Sequence, residues 1–380
     1  MKKRFRKIVM GLIGAAVLAV ISGCAYMYLP KFGRLPEKDR LSRIEHSPHY
    51  RDGEFRNLDP IPETIEKSGM IRTGIRFLFR KKERTKPQVP VVSIKTDLSG
   101  LDKNTDAVVW MGHSSLFIQL AGKRFLVDPV FSSNAAPVPG ANTAFPGTLI
   151  YSAADIPDID YLLISHDHWD HLDFPTVSAL RDKVGKIICP LGVGAHFERW
   201  DYPLDRIVEA DWYDAVQLDD GLSVHVLPAR HFSGRGLTRN KTLWAAFALV
   251  SPQQKIYFSG DSGYGSHFHE AGKRFGGFDL VILDCGQYNE GWRFVHMMPE
   301  EAVDAAEALQ AKAFLPAHIG KFSIAFHSWD DPFVRVTTAS ENKAFRLLTP
   351  RLGEPVMLDD TEQKFERWWE TMILKESKLR

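Results

Sequence analysis

Apolar residues are distributed in two regimes that meet near Asp106. Downstream, short apolar runs recur between Gly, Asp and Pro: "AVVWMG", "SLFIQLAG", "KRFLVDP", "DYLLIS", "KIICP", "AVQLDDG", "LSVHVLPA", "LWAAFALV", "KIYFSG" and "DLVILD". Runs of this length, rich in Val, Ile, Leu and Phe, predict strands. The first two turn at Gly112-His113-Ser114. Apolar residues at helical spacing predict helices over 174–183, 194–200, 266–275, 299–311 and 333–347. Strands alternating with helices in this way point to a layered α/β domain. A final stripe of Phe365, Trp368, Trp369, Met372 and Ile373 predicts a C-terminal amphipathic helix docked as core.

Upstream the pattern differs. Lys2, Lys3, Arg4, Arg6 and Lys7 precede an apolar stretch from Ile8 to Ile21, which is short for a membrane span and ends at Ile21-Ser22-Gly23-Cys24. That tetrad resembles a bacterial lipobox, in which the cysteine is lipidated and becomes the first residue of the mature chain. The resemblance implies a signal peptide over 1–23, a lipid anchor on Cys24 and a body outside the cytoplasm. Ala25 in the next position resembles lipoproteins sent to the outer membrane, here facing the periplasm. An uncleaved signal anchor is the alternative, and it leaves the body on the same side. Residues 24–105 are rich in Pro, Lys and Arg with weak periodicity, as expected of a tether and a wrapping extension. Within them "GMIRTGIRFLFRKKERTK" interleaves Ile71, Ile75, Leu78 and Phe79 with basic residues, a pattern suited to a membrane surface or to packing on the domain. The expected division is then 106–358 as the main domain and 359–380 as the C-terminal helix.

Composition narrows the choice. With 380 residues, 44% of them hydrophobic, the chain can bury a large core, and a net charge of +1 gives no steering toward nucleic acid. Cys189 and Cys285 end apolar runs, which predicts buried free thiols rather than a disulfide or a thiolate metal finger.

The chemistry concentrates in "LLISHDHWDHLDF", where His166, Asp167, His168, Asp170 and His171 crowd the end of an apolar run. His166 and His168, two apart, can point to one side of an extended backbone and share an ion; Asp170 and His171, one turn later, can address a second. Mixed imidazole and carboxylate donors suit zinc and similar metals. Three more polar residues arrive at strand ends: His231 in "LPARHFSGRG", Asp261 in "YFSGDSGYG" and His318 in "FLPAHIGKF".

This set resembles the metallo-β-lactamase superfamily, with its H-x-H-x-D-H motif and later His, Asp and His. The resemblance covers about residues 106–323 and implies a four-layer αββα sandwich. It also implies two metal ions, zinc first with other divalent metals possible, with His166, His168 and His231 on the first, Asp170, His171 and His318 on the second, and Asp261 bridging. "WMGHSSLFIQLAGKRFLVDPVFS", "PARHFSGRGLTRNKTLWAAFAL", "GDSGYGSHFHEAGKRFGGFDL" and "HMMPEEAV" look like the branch containing N-acylphosphatidylethanolamine-hydrolysing phospholipase D. His296 matches that branch's histidine near the reacting phosphate, while the loop from Ser132 to Tyr151 shows no usable match.

The implied activity is hydrolysis of a lipid phosphodiester through a metal-bound hydroxide, with Asp170, Asp261 and His296 as the catalytic candidates. The alternatives are a dimetal lactonase or other esterase acting on a small or sugar-phosphate substrate, and a non-catalytic regulatory lipoprotein. Partners are then a lipid or small-molecule substrate and the membrane through Cys24, without nucleic acid. His113 in "GHSS" is expected to support the metal rim and His327 to line the pocket mouth. Asp167 is expected to hold the loop, His196 and His225 to be structural, His267 and His269 to lie outside the ligand set, and His46 and His49 to be exposed. Gly260 and Gly263 are expected to permit a tight turn around Asp261.

Overall fold

The computed structural model describes residues 2–62 and 84–379; the basic amphipathic stretch Ile71–Lys82 lies outside them. A small hairpin, β1 (Tyr50–Arg51) and β2 (Glu54–Phe55), precedes the main body. There follow β3 (Ala107–Trp110), β4 (Leu116–Leu120), β5 (Lys123–Val127), β6 (Ile159–Leu163), β7 (Val184–Pro190) and β8 (Ile207–Ala210). With β16 (Pro355–Met357) these form a seven-stranded sheet in the order β16-β3-β4-β5-β6-β7-β8. The strands β9 (Ala215–Gln217), β10 (Ser223–Leu227), β11 (Ala246–Val250), β12 (Lys255–Phe258), β13 (Leu280–Asp284), β14 (Ala313–Ala317) and β15 (Arg346–Leu347) form the other. Its order is β15-β14-β13-β12-β11-β10-β9.

Period-two alternation divides each strand between layers. In β4, Leu116, Ile118 and Leu120 join a core shared with the second sheet, including Val224, Phe247 and Ile282. Phe117 points the other way, into a cluster with Val177, Leu180 and Phe197 from the helices Phe174–Leu180 and Gly194–Arg199. On the far side, the helices Ser266–Phe275 and Pro299–Ala308 deliver Phe268, Ala302, Val303 and Ala306 to the second sheet. The result is the αββα sandwich. Burying each such large apolar side chain stabilises it by about 1.5–3 kcal/mol.

Strand direction positions the chemistry. β5, β6, β7 and β8 run parallel, as do β12, β13, β14 and β15. Their C-terminal ends reach one rim, which the β3–β4 turn joins through reciprocal hydrogen bonds: His113 N to Ile319 O at 2.9 Å and His318 N to His113 O at 3.0 Å.

Several expectations need correction. The helix expected over 333–347 runs Asp331–Ala339, and Arg346–Leu347 is a strand paired with Ala313–Phe314. Asn342 takes φ 64°, a left-handed conformation that a right-handed helix does not continue through. The helix expected over 299–311 stops at Ala308, with Gln310 at φ 54°. His49 is half-buried, packed 4.8 Å from the Trp212 ring, whereas His46 is exposed.

The N-terminal helix, Lys2–Met27, continues through Ser22-Gly23-Cys24 instead of ending with the apolar run. At 1.5 Å per residue it is about 39 Å long. Its Arg4–Met27 stretch, of mean hydropathy 2.4, meets the length and composition of a membrane span, a test that signal sequences also pass. The C-terminal helix is Trp368–Ser377, with Trp368, Trp369 and Met372 buried. Cys189 and Cys285 are buried free thiols.

Candidate metal centre

The rim collects all seven residues of the expected ligand set. His166 follows β6, His231 follows β10, Asp261 follows β12 and His318 follows β14, while His168, Asp170 and His171 sit on the turn after β6. His168 Nδ1 lies 2.9 Å from His166 Nε2 and 3.1 Å from His231 Nε2. Asp261 Oδ2 lies 3.7 Å from both His166 Nε2 and His231 Nε2. Its other oxygen, Oδ1, is 3.0 Å from His171 Nε2 and 3.1 Å from His318 Nδ1. Asp170 Oδ2 is 3.6 Å from His171 Nε2 and 3.9 Å from His318 Nε2. Thus donor atoms of His166, His168, His231 and Asp261 fall within 4.8 Å of one another, as do those of His113, Asp170, His171 and His318. Asp261 presents one oxygen to each group.

Neighbouring hydrogen bonds fix which ring nitrogen faces inward. His171 Nδ1 donates to Asp128 Oδ2 at 2.7 Å, and His231 Nδ1 donates to the Val295 carbonyl at 3.0 Å. Each bond turns the Nε2 lone pair toward the centre, the tautomer a metal ligand requires. Asp128 also accepts from Ser165 N at 2.8 Å and from Ser165 Oγ at 2.5 Å, so one buried carboxylate organises the start of the metal loop.

Unpartnered atoms show that the residues fit a cation. His171 Nε2 and Asp261 Oδ1, although 3.0 Å apart, are not aligned as a hydrogen bond, and they and His113 Nδ1 are buried without a hydrogen-bond partner. Each such atom ordinarily costs about 1–3 kcal/mol. Burial pushes the Asp261 carboxyl up to about 7 and drives His166, His231 and His318 well below the usual imidazole value. Burial opposes charge on His171 too, but Asp261, Asp170 and Asp128 outweigh it and raise its pKa well above normal. The site therefore attracts positive charge, and without an ion a proton supplies it.

Around the ligands lie the supporting residues. His113 Nε2 binds Asp170 Oδ2 at 2.8 Å, beside the metal rim as expected. His296 Nδ1 meets Asp284 Oδ2 at 2.8 Å, and its ring stacks on His318 at 5.1 Å and 9°. Burial lowers the His296 pKa, but Asp284, with Asp261 and Asp170, together outweigh it and leave it above normal. Asp167 holds the loop, accepting from Gly234 N at 2.7 Å and Thr242 Oγ1 at 3.0 Å, with His196 Nε2 at 3.2 Å. His327 does not join the ligands: its Nε2 accepts from Gln287 N at 2.9 Å and its Nδ1 donates to Ser328 O at 2.9 Å. It borders a small cavity with Gln287, Ile319 and Phe322. His267 bonds Ser262 Oγ at 3.1 Å and His269 is exposed; neither is in a ligand group. Gly260, at φ 56°, makes the turn before Asp261, and a Cβ on Gly263 would sit 2.1 Å from Phe294 O.

Sequence reasoning missed Asp128 and Asp284, although both carry the same signal as Asp261, an aspartate ending an apolar strand. It also missed contributions from the extension. Asn57 Nδ2 donates to His231 O at 2.8 Å and Asn57 Oδ1 accepts from His231 N at 3.0 Å. Buried Arg235 donates to Asp167 O at 2.8 Å and Leu172 O at 2.6 Å, and from the same guanidinium to Lys31 O at 2.8 Å. Its charge stacks 4.0 Å from the Trp169 ring.

Comparison with known proteins identifies the family. Residues 123–319 match the family model described as a beta-lactamase superfamily domain. A Mycobacterium tuberculosis protein, itself named only as uncharacterized, is 40% identical over 332 residues, covering 86% of this chain and 88% of its own. The Caenorhabditis elegans N-acyl-phosphatidylethanolamine-hydrolyzing phospholipase D 1 is 30% identical over 230 residues, covering 56% of this chain and 63% of its own. The solved structure of Igni18, a metallo hydrolase from Ignicoccus hospitalis, matches with TM-score 0.52 at 18% identity, covering 69% of this chain and 100% of that one. Fold, donor set and relatives converge: the chain belongs to the metallo-β-lactamase superfamily, as a metal-dependent hydrolase.

Proposed function

We propose that the chain is a zinc-dependent phosphodiesterase of the phospholipase D type, acting on N-acylphosphatidylethanolamine-like lipids. The observation that carries this reading is Asp261, whose two oxygens address two separate groups of donors. His166, His168 and His231 would hold one ion, and Asp170, His171 and His318 a second. Two such ions supply Lewis acidity, lowering the pKa of a water and offsetting charge on a phosphoryl oxygen.

The chain's own residues do the rest. Asp128 and the Val295 carbonyl orient two of the ligand imidazoles. Asp284 holds His296 through Nδ1 and favours its protonated form, so Nε2 is the atom suited to donate to a phosphoryl oxygen or the departing alcohol. In the net reaction water adds to phosphorus and the bond to the N-acylethanolamine oxygen breaks, leaving phosphatidic acid. The similarity to the worm phospholipase supports this substrate class. A lipid anchor on the exposed Cys24, in the outer membrane and facing the periplasm, would hold the enzyme beside it.

The test is turnover by the zinc-loaded full chain. Release of phosphatidic acid from N-acylphosphatidylethanolamine, lost in His168→Ala, is expected. Hydrolysis of a lactone with no phosphatidic acid released from any lipid would overturn it.

A further inference from the structure

The segment just after Cys24 is fixed to the body, not tethered loosely. Tyr26 Oη donates to Pro137 O at 2.6 Å, and Lys31 Nζ donates to the same carbonyl at 2.7 Å. Trp200 Nε1 donates to Pro30 O at 2.7 Å and Arg199 to Tyr28 O at 3.0 Å. Phe32 packs edge-on to Trp169, ring centroids 5.0 Å apart, between the metal ligands His168 and Asp170 in sequence.

These contacts join the two sides of the metal pocket. Trp169 belongs to the metal loop. Pro137 belongs to the loop whose Val130 and Ala135 pack on Phe322, itself 5.3 Å from the His113 ring. His168 is half-buried, as are its neighbour Trp169 and the more distant His296, whereas the other six ligands are buried, so the metal centre is open on the His168 side, next to Trp169. The apolar stretch Arg4–Met27, of mean hydropathy 2.4, is 0% buried by protein and ends at this place. Cys24 lies about 3 Å along the helix axis from Tyr26. Beside these contacts three large apolar side chains face outward: Tyr28 at 80%, Leu29 at 41% and Val138 at 56% exposure.

We infer that Tyr28, Leu29 and Val138 rest in the interface of a phospholipid bilayer, so that the metal pocket opens onto the membrane surface. Whether residues 2–27 stay as a helix or Cys24 becomes a lipidated terminus, the membrane attachment comes within a few residues of Pro137. The bonds from Tyr26 and Lys31 leave no slack for the body to stand away. Apolar side chains next to an anchor enter the headgroup region to a depth of about 5–10 Å. The inference requires membrane attachment near Cys24 and is independent of the substrate.

The test uses the full chain in phosphatidylethanolamine–phosphatidylglycerol vesicles, with an environment-sensitive fluorophore on Val138→Cys or on Asp182→Cys. Asp182, 97% exposed, precedes the start of β7 at the opposite end of the sheet. Brominated acyl chains are expected to quench the probe at 138 at least about twofold more than the probe at 182. Equal, water-like emission at both sites would overturn the inference. Val138→Asp is expected to slow turnover of a bilayer phosphodiester and to leave a water-soluble short-chain analogue unaffected; equal slowing of both would also count against it. If the unmodified chain cleaves no lipid while quenching at 138 persists, the substrate reading fails and the orientation stands.

Discussion

The two ends of the parallel strands β5, β6 and β7 both carry ionisable side chains, in opposite circumstances. At the C-terminal ends, Asp128, His166 and His171 are buried and bonded to one another or to the metal loop. At the N-terminal ends an open groove of about 1060 Å³ runs among Lys103, Lys123, Arg124, Asp160, Asp182 and Lys186. There Lys123 reaches Asp219 at 3.6 Å, but the carboxylate side chain is 77% exposed. Water separates the two cases. An exposed pair contributes about 0–1 kcal/mol, while a buried donor or carboxylate must find a partner, a proton or a cation. Cavity size is thus a poor guide here, and buried unpartnered donors a good one.

Substitutions should reproduce this contrast in graded form. Asp261→Ala removes the carboxylate shared by both donor groups, and kcat/KM with saturating zinc is expected to fall at least about 10³-fold, roughly 4 kcal/mol. His296→Asn should lower kcat about 10²–10⁴-fold while metal content stays at the unmodified level, which steady-state kinetics and elemental analysis together would show. Asp128→Asn leaves all the ligands in place but frees the His171 ring, so zinc affinity in a competitive chelator titration should weaken about 10–100-fold.

Acid should act at the same end. In the metal-free chain, burial holds the Asp261 carboxyl at about 7, so below that pH an incoming ion must displace a proton. The Asp261 carboxyl alone is expected to make affinity fall about tenfold per unit below pH 7, and the raised His171 adds its own loss wherever it holds a proton, measured by zinc titration across pH. At the other end Lys186→Ala should change unfolding free energy by less than about 0.5 kcal/mol and activity by less than about twofold. A large loss there would erase the distinction between the two ends.

The same contrast explains what could be read from sequence. His166, His231, Asp261 and His318 each end an apolar run, and a parallel strand brings such ends to one rim, so local pattern was enough to place them together. Asp128 and Asp284 end apolar runs too, but stand outside any dense histidine cluster; only their bonds to His171 and His296 give them a role. Asn57 and Arg235 were unreadable. Asn57 meets His231 across 174 positions of chain, and Arg235 reaches Lys31 across 204. A fragment starting near Asp106 would therefore lose contacts that hold the metal loop. β8 escaped notice because its residues are half-buried apart from Ala210, at a sheet edge where alternation is weak.

The central claim is that Asp261 joins two metal positions, and metal stoichiometry tests it most directly. Native mass spectrometry of the zinc-loaded full chain is expected to show two ions per chain, falling to one or none in Asp261→Ala. A single ion in the unmodified protein, or two ions retained at unchanged affinity after Asp261→Ala, would contradict it.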